Sequence, residues 1–138
     1  MVYLNGVSME YQHKNTSVSI VNYHIVFCPK YRRGLLVGKI KIRLEKIIRD
    51  VALENDWKVI AKEIMPDYVH LFVGADTRTP PEIVVKRFKG RSSRHLRNEF
   101  PELLKMPTLW TRSYFLSTSG NVSASTIKKY IEQQWDKK

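Results

Sequence analysis

At 138 residues, 43% of them hydrophobic and 27% charged, the chain has the size and composition of one globular domain and is too short for two. Its 24 Lys and Arg against 13 Asp and Glu leave a net charge of +11, an excess that calls for a polyanionic partner, either nucleic acid or an anionic membrane surface. No apolar run is long enough to span a membrane, the N-terminus lacks the order of a secretory signal, and the lone Cys28 can form neither an internal disulfide nor a zinc-thiolate cluster; a cytoplasmic protein is expected.

Residues 1–17 are polar and weakly patterned, and read as a loosely ordered arm with room for a short strand; residues 18–138 read as the single folded domain. From Val18 to Cys28 the side chains alternate as in a strand. Ser19, Val21, Tyr23, Ile25 and Phe27 form the more apolar, buried face, which leaves His24 on the open one with Asn22 and Val26. Pro29 ends this strand. Lys30-Tyr31-Arg32-Arg33-Gly34 then sets three cations around a ring, either a place to hold phosphates and stack a base or a solvated basic turn. Over 39–55 the spacing of Leu44, Ile47, Ile48 and Val51 predicts a helix with Lys41, Arg43, Lys46 and Arg49 facing water.

Residues 57–75 predict two strands joined at a Met65-Pro66-Asp67 corner, because proline cannot donate to a ladder and aspartate favours turns. In the second strand Val69, Leu71 and Val73 form the core face, which puts Tyr68, His70 and Phe72 together on the accessible one. Glu63, just before the corner, can project toward His70. An imidazole and a carboxylate meeting on a sheet suit a hard divalent cation; a His70 that simply hydrogen-bonds on the sheet surface is the alternative.

Pro80 or Pro81 opens a second helix at its first turn. Between residues 86 and 97 it carries Lys86, Arg87, Lys89, Arg91, Arg94 and Arg97, interleaved with Gly90, Ser92 and Ser93. Small and hydroxylated residues among cations let a backbone approach phosphates, so nucleic acid fits this helix. A membrane surface fits less well, since the helix lacks a full apolar face with aromatic anchors. A connector over 100–107 leads to a strand expected over 109–118, then to a last helix capped by Ser123 and running to Trp135 with Ile127 and Ile131 on one side and Tyr130 and Gln134 on another. This order predicts an α+β plait of the ferredoxin or RRM-like kind, with an antiparallel sheet and helices on one face.

Several short motifs, in this order and spacing, carry a resemblance. They are Tyr23-His24 with Lys30-Tyr31-Arg32, Met65-Pro66-Asp67-Tyr68-Val69-His70-Leu71, Phe88-Lys89-Gly90 with Ser92-Ser93, Leu109-Trp110 before Ser113-Tyr114, and Tyr130-Ile131-Glu132-Gln133-Gln134. Over roughly residues 18–136 the chain resembles the single-tyrosine transposases of the insertion-sequence 200/605 family. The resemblance implies a homodimer with shared active sites that cuts and rejoins single-stranded DNA, folded as a hairpin at element ends. Tyr130 on the C-terminal helix would form a 5′-phosphotyrosine, and a divalent Mg2+ or Mn2+ would be held by a His-hydrophobic-His pair and the glutamine at Gln134. Tyr68 stands where that family usually has the first histidine, and a neutral phenol is a poor ligand for these ions. The expected donors are therefore His70, Glu63 and Gln134, supported by His24, Asp67 and Tyr68. Lys30, Tyr31, Arg32, Arg33, Lys86, Arg87, Lys89, Arg91 and Arg94 are expected to grip the DNA. The competing reading is a non-catalytic plait module that binds single-stranded DNA or RNA by stacking bases on its sheet.

Overall fold

In the computed structural model, residues 9–13, 16–118 and 120–134 are described; Trp135 of the expected last helix lies outside them. The elements are β1 (Met9–His13), β2 (Thr16–Phe27), α1 (Gly38–Glu54), β3 (Lys58–Met65), β4 (Tyr68–Asp76), α2 (Pro81–Glu99), β5 (Phe115–Ser117) and α3 (Ala124–Gln134). The sheet is antiparallel in the order β1-β2-β4-β3, and β5 pairs with the end of β2. This is the α+β plait expected from the order of elements. Within the stretch read as an arm, residues 9–13 form a strand, and β2 begins at Thr16, with His13 and Thr16 as register partners.

The two faces of the sheet divide as the alternation predicts. Tyr23, Ile25 and Phe27 of β2 and Val69, Leu71 and Val73 of β4 pack against Leu44, Ile47, Ile48 and Val51 of α1 and Val84, Val85, Phe88 and Leu96 of α2. Asn55 closes α1 by donating its side-chain amide to the Val51 carbonyl at 2.8 Å. The strand interior at Gly74 is glycine for want of room: a Cβ there would stand 2.9 Å from Asn22 Oδ1.

α3 lies across the other face, so the helices are not confined to one side as expected, and His24 on the face expected to be open is buried. Ile127 and Ile131 pack with Val26 and Cys28 into a second, smaller cluster, flanked by Tyr68, Phe115 and Tyr130. Ser123 caps the helix as expected, its Oγ accepting from the Thr126 N–H at 3.1 Å. The strand expected over 109–118 is much shorter. Trp110 makes a single bridge to Pro29 and only Phe115–Ser117 pairs as a strand, because the carbonyls of Thr111, Arg112 and Ser113 turn toward Lys89 instead of a neighbouring strand.

Candidate active site

Three groups of polar side chains lie on the sheet face that α3 crosses. In the first, His24 and His70 meet with Nδ1 of His24 3.0 Å from Nε2 of His70, and the His24 ring stacks on Phe72 with centroids 4.2 Å apart. His24 Nε2 lies 3.3 Å from the Gly120 carbonyl, which can only accept. With both rings neutral, His24 therefore donates from Nε2 and accepts at Nδ1, His70 donates from Nε2, and the His70 lone pair is left on Nδ1. Burial, then the neighbouring His24 ring, lowers the pKa of His70 below the usual imidazole value, with Glu63 opposing. The strand alternation that put both histidines on one face thus also makes them partners.

The second group surrounds the Pro66–Asp67 corner. Glu63 is the register partner of His70 across β3 and β4, so the expected pair of donors does share a face. Its carboxylate, however, accepts the Tyr68 hydroxyl at 2.8 Å. Burial, then that hydrogen bond, pushes the Tyr68 phenol up to about 12. Asp67, expected to support a metal, instead accepts from Arg32 Nε at 2.9 Å. That pair ties the corner to the Lys30–Arg32 turn, where Tyr31 and Arg32 both adopt left-handed backbone angles, φ 60° and 53°. Arg32, Glu63, Asp67 and Tyr68 line a cavity of about 390 Å³ that Lys128 and Glu132 of α3 line on its other side.

The third group is centred on α3. The Tyr130 hydroxyl lies 3.3 Å from Ser113 Oγ, which donates to Gln134 Oε1 at 2.7 Å, while Gln134 Nε2 donates back to the Tyr130 carbonyl at 3.1 Å. Gln134 is fully buried. Burial pushes the Tyr130 phenol up to about 12, against the opposing effect of Ser113. Lys89 donates to the Thr111 carbonyl at 2.7 Å and to those of Arg112 and Ser113 at 3.3 Å, and desolvation brings its ammonium down to about 8.

Of the expected metal donors, His70 and Glu63 are brought together, whereas both ends of the Gln134 amide are engaged by Ser113 and Tyr130. Among the described residues no three of His, Cys, Asp and Glu are grouped closely enough to hold a metal. The residues present therefore fit a divalent ion only in part, as a two-donor platform. The expected DNA-gripping cations are dispersed as well. Arg91 pairs with Glu54, and Arg87 donates to Asn55 and lies over the Trp57 ring. Lys86, Arg94 and Arg33 are exposed, while Lys30 and Arg33 flank the Tyr31 ring at 5.4 and 6.0 Å. Ser113 carried no role in the sequence analysis. Its one signal was its place in the Ser113-Tyr114 motif, and nothing in that spacing says that its hydroxyl meets Tyr130.

A family model described as "Transposase IS200 like" matches residues 17–134. The ISDra2 transposase TnpA of Deinococcus radiodurans is 38% identical over 120 residues, covering 85% of this chain and 86% of that protein. The transposase for insertion sequence element IS200 of Salmonella typhimurium is 31% identical over 119 residues, covering 81% of this chain and 75% of that one. Among solved structures, a Deinococcus radiodurans protein described as a transposase candidate superposes with a TM-score of 0.77 at 35% identity, over 91% of this chain and 98% of that one. A REP-associated tyrosine transposase, solved bound to a REP hairpin, shares the fold with a TM-score of 0.54 at 10% identity, over 99% of this chain and 74% of that one.

Proposed function

Because the chain belongs to the IS200-like transposase family, we propose that it performs DNA transposition by cutting and rejoining single-stranded DNA through Tyr130. The observation that carries this reading is the docking of α3, with its phenol, on the face of the sheet that holds His24 and His70. In the proposed step a bond forms between Tyr130 Oη and a backbone phosphorus, and the bond from phosphorus to the 3′ oxygen breaks. The phenolic proton passes to water, and the departing strand takes one up to leave as a 3′-hydroxyl. Because the 5′-phosphotyrosine conserves the phosphoester, a 3′-hydroxyl reverses the step and joins strands without ATP.

A magnesium or manganese ion belongs to the same proposal at His70 and Glu63, where it would offset charge on the phosphate oxygens. His24 fixes the His70 ring so that Nδ1 carries the lone pair, and Tyr68 holds the Glu63 carboxylate in place. A homodimer and hairpin-forming DNA ends complete the reading. The net charge of +11 and the cations left exposed at Arg33, Lys86 and Arg94 support a polyanionic partner.

The test is a denaturing gel after mixing the protein with single-stranded DNA and manganese. The expected outcome is a protease-sensitive shifted band that Tyr130→Phe abolishes while DNA binding stays nearly unchanged. An adduct of normal yield from that variant refutes the nucleophile assignment. Salt-sensitive binding with no adduct from the unmodified chain would favour the binding module.

A further inference from the structure

The Tyr130 hydroxyl lies 3.3 Å from Ser113 Oγ, with the Thr111 side chain as a further hydrogen-bonding neighbour, and the surroundings of Ser113 dictate how it can act. Gln134 Nε2 donates to the Tyr130 carbonyl at 3.1 Å, which fixes the amide so that Oε1 faces Ser113 Oγ at 2.7 Å. An amide oxygen only accepts, so the single Ser113 proton is directed at Gln134 and the contact of 3.3 Å to Tyr130 has the phenol donating. That contact is long for an O–H to O hydrogen bond and has room to shorten when one partner carries charge. The loop behind Ser113 is pinned from below. Lys89 bonds the carbonyls of Thr111, Arg112 and Ser113, and the Thr111 N–H donates to the Cys28 carbonyl at 2.9 Å. A half-buried cation in the helix that supplies the chain's cation cluster is therefore spent on holding this hydroxyl.

We propose that Ser113 is a further catalytic residue, its hydroxyl orienting Tyr130 Oη for attack and donating to that oxygen when it leaves, with Lys89 and Gln134 as the positioning residues that fix the serine. The inference rests on the reading of Tyr130 as the nucleophile. At rest the serine accepts from the phenol, which confines Oη to one direction. In the reverse step, a 3′-hydroxyl attacks phosphorus, the bond from phosphorus to Tyr130 Oη breaks, and the electron pair stays on Oη. The serine proton then turns from Gln134 Oε1 to the phenoxide, a rotation about one bond that a hydroxyl makes without moving its backbone. Cleavage and rejoining share this transition state, so a loss at Ser113 slows both.

The experiment measures adduct formation at saturating DNA, rejoining upon adding a strand with a free 3′-hydroxyl, and DNA affinity. It uses the full chain, manganese and a hairpin-bearing single strand taken from the flanks of its own coding sequence. Ser113→Ala is expected to slow adduct formation and rejoining together by about tenfold or more, the worth of one hydrogen bond to the reacting oxygen, with DNA affinity unchanged. Ser113→Thr, which keeps the hydroxyl, is expected to recover most of the rate. A serine needed only for docking α3 would instead show a loss that threonine does not rescue or a weakened DNA affinity, and either result overturns the proposal. Ser113→Ala reacting at the unmodified rate also overturns it. If the alanine variant fails to fold, Ser113→Cys decides, since a thiol is a weak donor of similar shape: a rate at the unmodified level overturns the proposal and a slowed one supports it. Failure of the underlying reading is separable, because there Tyr130→Phe itself forms the adduct.

Discussion

At Tyr130 burial dominates: it lifts the phenol to about 12, although hydrogen bonds from Ser113 and Thr111 pull the other way. An acid whose pKa is raised this far is ionised to only about one part in 10⁵ at pH 7, so the phenoxide is scarce throughout the neutral range. Attack by the ionised form therefore accelerates about tenfold per pH unit and does not level off in the neutral range. Single-turnover adduct formation measured from pH 6 to 9 checks this, and a plateau inside that range would mean that a different group limits the rate. Tyr68 is shifted as far but for partly different reasons, since the Glu63 carboxylate that accepts its proton adds to burial. A phenol that donates to a carboxylate is engaged as a hydrogen-bond donor, which makes Tyr68 a brace for Glu63.

α3 is the element on which the proposed chemistry depends and, of the helices α1, α2 and α3, the one with the fewest buried residues. It has 11 residues, below the length at which an isolated helix is stable in water, and buries only Ile127, Ile131 and Gln134. α1, by contrast, buries Leu44, Ile47, Ile48, Val51 and Ala52 in the main core. Backbone amides of α3 should accordingly exchange with deuterium well before those of α1, and local opening of α3 should leave the sheet protected. Exchange followed peptide by peptide tests this; equal protection of residues 127–134 and 44–51 would show that α3 opens only with the whole domain. Both helices were legible in the sequence, because an apolar period of 3.6 survives most tertiary contexts, with Asn55 marking the end of α1 and Ser123 the start of α3. The strand expected over 109–118 was not. Its residues have strand-like composition, but three of their carbonyls bond a lysine from α2, a partner that no local pattern announces. The same limit applies to Gln134: its spacing from Tyr130 was visible, while the serine that engages it comes from a separate loop.

For the molecule as a whole, the sheet alternation was enough to put His24, His70 and Glu63 on one face, since register follows from which face is buried. What the sequence could not resolve was which cations face outward, because charge along a helix says nothing about the neighbours it meets. The fold sorts them into two kinds. Lys86, Arg94 and Arg33 are exposed, whereas Lys89 caps the carbonyls behind Ser113 and Arg91 is paired with Glu54. Counterion release distinguishes the two kinds in solution, since each phosphate neutralised by a cation adds about 0.7 to the salt slope of single-strand binding. Lys86→Ala and Arg94→Ala should therefore each weaken binding to single-stranded DNA and flatten the plot of log affinity against log salt by a little under one unit. Lys89→Met should leave that slope where it was and act on the adduct rate instead, because its ammonium is bound to backbone oxygens. Fluorescence anisotropy with a labelled oligonucleotide across a salt series separates these outcomes. A slope that falls with Lys89→Met as much as with Lys86→Ala would make Lys89 a phosphate contact, and the Thr111–Ser113 carbonyls would then need another explanation for their turn toward α2.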